Sequence, residues 1–486
     1  MKRLRFTYLI AAALSASLIL SVTACGTNTV PATAASSAAV SESSGNASYN
    51  SEKNSSKDGE HAIEVDGKTE EYSDVKVTKT GDSSSGDEAD FYGDNAAIFA
   101  TNGATLTLKN IGVETNGTHA NAVFSYGEGT TVNISDSDIT TTGNCSGGIM
   151  TTGGGTMNAT NLNIHTTGQS SAAIRSDRGG GTVNVDGGTY LTEGKGSPAI
   201  YSTANITVSN ATLESTTSEG VVVEGRNSVT LNNVTLTADN NANNSDKSDN
   251  LNGVMIYQSM SGDAAVGAAS FTMNGGTFIN KSGDVFFVNN TTTNITLQNV
   301  RIENKDVAGV FLRAAAAGWG TEGSNGGKVN LYLRQQTLEG DIAVDGVSVL
   351  NMYVSSGSSY TGAVNADNKG QVYVEIEKGS RWILSDDSYV SSLTCDSSAI
   401  DLNGHTLYVN GVKYTSGTAS EGTAIEIKTE SSASGTPDGL PGNPPSGEKP
   451  QGDPPGGEKP QGDPPSGDPP SGSPGSGETP PSKPDN

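Results

Sequence analysis

Short apolar runs alternating with Thr, Asn and Ser fill the middle of the chain, and they recur. A small or polar residue followed by Ile or Val appears at Ala97-Ile98, Ala122-Val123, Gly148-Ile149, Ala173-Ile174 and Ala199-Ile200, then at Gly220-Val221, Gly253-Val254, Asp284-Val285 and Gly309-Val310. The second residues are spaced by 25, 26, 25, 26, 21, 33, 31 and 25 positions. Inside each unit a second run reads apolar, Thr or Asn, apolar, as in Leu106-Thr107-Leu108, Val132-Asn133-Ile134 and Val183-Asn184-Val185. A third follows an Asn, Asp or Gly turn, as in Leu162-Asn163-Ile164 and Val234-Thr235-Leu236. Alternation of period two predicts strands, and turn residues between them predict corners. A fixed period in the range 20–50 predicts a solenoid, because one coil cannot bury its own apolar face.

The expected fold is therefore all-β, a parallel β-helix with three strands per coil and about 25 residues per coil. About twelve coils at roughly 4.8 Å per step make a rod on the order of 55–60 Å long. Expected boundaries are a signal peptide over 1–24, a flexible tether over 25–60, an N-terminal cap over 61–96, the β-helix over 97–415, a C-terminal cap and linker over 416–436, and a disordered tail over 437–486. The tail follows from composition: 16 of 18 prolines lie between Pro437 and Pro484, and Gly447–Pro455 recurs as Gly457–Pro465. Its glycines lack a triplet period, which excludes collagen.

At the N-terminus, Lys2, Arg3 and Arg5 precede an apolar run from Phe6 to Leu20 that ends in Val22-Thr23-Ala24-Cys25. That is an export signal, and its end resembles the bacterial lipobox, which implies lipid on Cys25 and an extracytoplasmic, membrane-anchored protein. Cys145 and Cys395 fall many coils apart, out of disulfide reach of each other, and both are expected to be unpaired. The chain of 486 residues carries 28 Lys plus Arg against 53 Asp plus Glu, a net charge of −25. This acidic balance argues against a nucleic-acid partner.

The coil of about 25 residues resembles the right-handed parallel β-helix of pectate-lyase-like enzymes. Ile400-Asp401-Leu402-Asn403-Gly404-His405-Thr406-Leu407-Tyr408-Val409-Asn410-Gly411 resembles the last coils of adhesin-like bacterial surface proteins. The resemblance covers about residues 61–415 and implies right-handed coils; it speaks to architecture far more than to activity.

Alternation also says which first-strand residues face outward: Phe99, Phe124, Met150, Arg175, Tyr201 and Val222 in one column, with Thr101, Tyr126, Thr152, Asp177, Thr203, Glu224 and Tyr257 beside it. Arg178, Arg226 and Gln258 lie in adjacent loops. The middle strand offers water only a bland Thr/Asn column. Exposed aromatic faces flanked by charges suit sugar rings, so Phe124, Tyr126, Arg175, Asp177, Arg178, Tyr201, Glu224 and Tyr257 are the candidate ligand-binding residues. The competing reading is that a loop or the N-terminal segment packs over them. For an enzyme, Asp177 and Glu224 sit two coils apart, roughly 9–10 Å, near the upper end of an inverting glycosidase pair. The paired-Asp, Gly-His-Gly and Arg-Ile-Lys patterns of polygalacturonases are absent, so no residue is assigned a catalytic role. The four His, at 61, 119, 165 and 405, lack zinc spacing, and the insertion Asp239 to Asn250 lacks the EF-hand register. No cofactor or metal is expected. The function expected is a monomeric surface lipoprotein that binds a glycan or a host or matrix surface. The alternatives are a polysaccharide lyase or hydrolase on the same scaffold and a rigid spacer with no ligand.

Overall fold

A computed structural model describes residues 48–428. The expected signal peptide, Cys25 and the Pro-rich tail from Pro437 lie outside the described residues. Strands stack in sequence order and in parallel. One sheet has eleven strands, from Ile63–Asp66 through Ile98–Thr101, Val123–Tyr126 and Ile149–Thr152 to Ile342–Val344. A second sheet of 19 strands carries the second and third positions of the coils as far as Arg301–Asn304, beyond which the third positions, Thr337–Glu339, Ser359–Thr361, Arg381–Ile383 and Ile400–Asp401, form a separate four-stranded sheet. Thr105–Thr115, for example, pairs with both Thr131–Ser135 and Asp138–Thr141. The fold is a parallel β-helix, and it closes with an antiparallel pairing of Leu407–Val409 with Val412–Lys413.

The corners follow from residue chemistry. Between the second and third strand positions the chain turns through the left-handed region at Asp74, Asn110, Asp136, Asn161, Asn210 and Asn233. Asn and Asp tolerate that conformation better than other side chains. Their amides also bond along the rod: Asn161 Nδ2 donates to Asp136 Oδ1 at 3.0 Å, and Asn233 Nδ2 to Asn210 Oδ1 at 3.1 Å. At the next corner a column of buried Ser ties coil to coil. Ser146 N donates to Ser171 Oγ (3.0 Å), and Ser171 N to Ser197 Oγ (2.8 Å).

The core is one continuous column of Ile, Val and Leu, with Phe271, Phe278, Phe286 and Phe311 edge-on at its middle. Two sequence assignments shift here. Coil geometry begins before residue 97: Ile63–Asp66 pairs with Ile98–Thr101, and Ser51–Ser55 pairs with Thr69–Lys79. Further on, Val254 pairs with Phe286 rather than Val285, and Phe286 with Leu312 rather than Val310. In those coils an apolar residue precedes the inward one, so the small-then-apolar motif misreads the register by one or two positions. Cys395 is a buried free thiol as expected; Cys145 is not free, which corrects that half of the expectation. No helix among the described residues is long and apolar enough to cross a membrane.

Candidate functional site under the first-sheet covers

Register places the candidate residues as alternation predicts. The outer column of the first sheet runs Glu64, Phe99, Phe124, Met150, Arg175, Tyr201, Val222, Met255, Phe287, Arg313 and Ala343. What differs is exposure. Phe124 is 0% exposed, Glu224 1% and Asp177 7%, and Tyr126, Arg175, Tyr201 and Tyr257 are only half-buried. The expected open strip is a covered one, because three inserted segments lie across it.

The first cover is a short helix, α1 (Gly86–Tyr92). It belongs to the long first coil, since Ile63 and Ile98 are equivalent but 35 residues apart. Ser85 caps its N-terminus by accepting from Glu88 N, and Gly93 closes it at φ 82. Only Gly fits at 93: a Cβ there meets the Phe99 ring at 2.5 Å. Beneath α1, Ala96, Phe99, Phe124 and Met150 form a small apolar cluster edged by Tyr126. Tyr92 packs edge-on to Tyr126 at 5.8 Å, and Thr152 Oγ1 donates to Phe91 O at 2.6 Å.

Asp90 on α1 and Asp177 on the sheet share one guanidinium. Arg175 Nη2 lies 3.3 Å from Asp90 Oδ2 and 3.0 Å from Asp177 Oδ2. Burial pushes both carboxyls up, but the outcomes differ. Arg175 and His119 outweigh burial at Asp90 and hold it below the usual carboxylate range. At Asp177 burial, with the Asp90 and Asp263 charges nearby, prevails over Arg175 and raises it to about 7. A single cation cannot satisfy two buried anions fully. Arg178 joins this cover to the next: its guanidinium stands 3.9 Å over the Phe91 ring, while Nε and Nη2 donate to Asp263 Oδ1 at 3.0 and 2.8 Å.

The second cover is the loop 258–267. Beneath it Glu224 accepts from Tyr201 (2.6 Å), from Tyr257 (3.1 Å) and from Ser259. Burial raises Glu224 and lifts both phenols well above their usual value. The third cover brings Ala315, Ala317 and Trp319 over Val222, Met255 and Phe287. The insertion around Lys247 supports it, Lys247 O accepting from Gly318 N at 2.7 Å. Asp177 and Glu224 are thus both buried and engaged with neighbouring side chains.

The outer face of the second sheet is richer than the Thr/Asn reading. Three parallel columns run up it. One includes Thr131, Thr156, Thr182, Asn205 and Ser228; the next Asn133, Asn158, Asn184, Thr207 and Thr230; the third Ser135, Thr160, Asp186, Ser209 and Asn232. A shallow hollow of about 430 Å³ lies across them, lined by Asn158, Thr160, Asn184, Asp186, Thr207, Ser209 and Asn210 among others. Further along, Tyr332 and Tyr353 stack at 4.9 Å with planes 8° apart, and Tyr373 packs edge-on at 6.0 Å. Their motifs, Leu331-Tyr332-Leu333 and Met352-Tyr353-Val354, carry the signal plainly. The Thr/Asn column holds as far as Thr296 and gives way to tyrosine at Tyr332 and Tyr353. Of the histidines, His61 stacks on Phe99 at 4.6 Å and His165 pairs with Glu193 at 3.0 Å. Asp386, Asp387 and His405 cluster at the surface. No protein-family model matches the chain, and neither any curated protein nor any solved structure matches it significantly.

Proposed function

We propose that the chain is an exported lipoprotein, held on a membrane through lipid at Cys25, whose β-helix binds an extracellular glycan or host surface along the outer face of its second sheet. The observation that carries this reading is the contrast between the two faces. The first sheet is covered over most of its length, while the second leaves its columns of hydroxyl and amide groups open between Thr131 and Asn232, the C-terminal segment lying over it further along, where Asn351 bonds Ile425. A regular polar array suits a polymeric ligand that has its own repeat. The hollow at Asn184 is lined by amide, hydroxyl and carboxylate side chains, donors and acceptors that can bond a hydroxyl-rich sugar. The enzyme alternative has less behind it, because the two carboxylates proposed as its acid and base are enclosed.

A glycan array probed with the purified rod is the direct test. Binding should appear, and Asn184→Ala combined with Thr207→Ala should weaken it about tenfold, roughly 1.4 kcal/mol, without moving the thermal transition, since both side chains point away from the core. An array with no binders, or binding untouched by the double variant, rejects the reading. The anchoring part is tested separately. Cys25→Ala should release the protein from membranes or leave an unprocessed precursor; normal localisation with retained lipid label contradicts it.

A further inference from the structure

The α1 cover has features of a plug rather than of a permanent wall. Arg175 holds two carboxylates of different origin. Asp177 is two residues away on the same strand and stays with it. Asp90 arrives on α1, 85 residues earlier in sequence. On the other side of Asp90 stands His119, 7% exposed. Its Nδ1 lies 3.2 Å from Asp90 Oδ2 but off the line of a hydrogen bond, so among the described residues this buried nitrogen has no hydrogen-bond partner. Two basic groups, the half-buried Arg175 and the buried His119, fixed to separate coils of the rod, thus converge on one carboxylate carried by a seven-residue helix. A helix that short has little stability of its own, and Ala89 is the only residue of α1 that is fully buried. Its further holds include the Phe91 ring against Arg178, the Thr152 bond to Phe91 O, Tyr92 against Tyr126 and the Tyr92 hydroxyl beside Arg178.

We propose that Gly86–Gly93 is an autoinhibitory strap. The Asp90 carboxylate occupies an anion site formed by Arg175 and His119, and a glycan bearing a carboxylate displaces it. Arg175 is suited to a carboxylate by its planar donor fork. Lifting the strap also uncovers Phe99, Phe124 and Tyr126, which lie along the rod from that site. Flat aromatic faces beside an anion site match a pyranose ring that carries an acid group. Aspartate in the closed state thus stands where the sugar acid goes, and the apparent affinity of the closed protein is lowered by the fraction of time the strap is shut. This inference takes only the ligand class from the proposed function. Its face and its residues are different.

The probe is a sialylated oligosaccharide, with a neutral oligosaccharide of equal length as control. Asp90→Ala should bind the sialylated probe about tenfold or more tighter than the wild type, the neutral probe should not respond, and adding Arg175→Ala should abolish the gain. Phe91→Ala leaves the anion site intact and should give a smaller gain, with faster amide exchange over 86–93. In the wild type, saturating probe should accelerate exchange over the same residues. The inference is overturned if Asp90→Ala folds normally and gains nothing, if its gain survives Arg175→Ala, or if probe binds the wild type with exchange at 86–93 unchanged. Should Asp90→Ala fail to fold, the Phe91→Ala and wild-type exchange measurements decide alone. Asn184→Ala with Thr207→Ala must leave the Asp90→Ala gain in place; loss of both together assigns the binding to the second sheet and removes the strap site.

Discussion

Gly168→Ala is expected to destabilise the rod by about 3 kcal/mol or more, the upper range for overpacking. The reason is backbone proximity. A Cβ at Gly168 stands 1.9 Å from the carbonyl oxygen of Gly143, one coil below, and the same contact recurs at Gly117, Gly143 and Gly194, at 2.1, 1.9 and 1.7 Å from the glycine oxygen beneath. None of these four has a positive φ, so the position requires glycine for space and not for conformation. The neighbouring Ser column cannot yield either. Ser171 Oγ already donates to Gly143 O and accepts from Ser146 N, so a shift at one coil breaks bonds in the next. Urea unfolding of the variant reads this directly. A loss below about 0.5 kcal/mol, the level of an ordinary surface change, contradicts the account.

Raising the pH from about 4 to 7 is expected to weaken the folded rod, and Asp177→Asn is expected to flatten that trend. In the unfolded chain the Asp177 carboxyl releases its proton near pH 4; in the folded chain burial raises this to about 7. Between those values the native state holds the extra proton, so the unfolding free energy falls as pH rises, by up to ~1.4 kcal/mol per pH unit for one group. Above pH 7 this contribution is complete and the slope vanishes. Arg175 and the Asp90 and Asp263 carboxylates are the charges around it. Glu224, also raised by burial, acts in the same direction. Asp90 is depressed, so its contribution is lost only as pH falls below the ordinary carboxylate range. Repulsion among the many surface carboxylates shares the sign of the Asp177 effect, so the difference between wild type and Asp177→Asn isolates the buried group. Urea midpoints at pH 4.5, 6 and 7.5 give the comparison; identical pH slopes for the two proteins refute it.

The coil was legible because its determinants are local. Period-two alternation, Asn and Gly at corners and a small residue before Ile98, Val123 or Ile149 set strand, turn and face within a few residues. Stacking identical units then multiplies each signal. Register failed only at Phe286 and Leu312, where an apolar residue occupies the place of the small one. The outward columns on the first sheet were legible for the same reason, down to Arg175 and Tyr201.

What lies over those columns was decided by tertiary structure alone. The surplus of residues between Ile63 and Ile98, and again between Val254 and Phe286, announces insertions, but their length does not say where they land. Gly86–Tyr92 reads as a short acidic stretch, and nothing local directs Asp90 to an arginine 85 positions later. That contact forms because the stacked coils bring His119, Thr152, Arg175 and Arg178 to one surface, and because Phe124 and Met150 leave apolar area there that water disfavours. Alternation tells which side of a sheet a residue faces. Whether that side meets water or another segment depends on contacts distant in sequence, which no local pattern records.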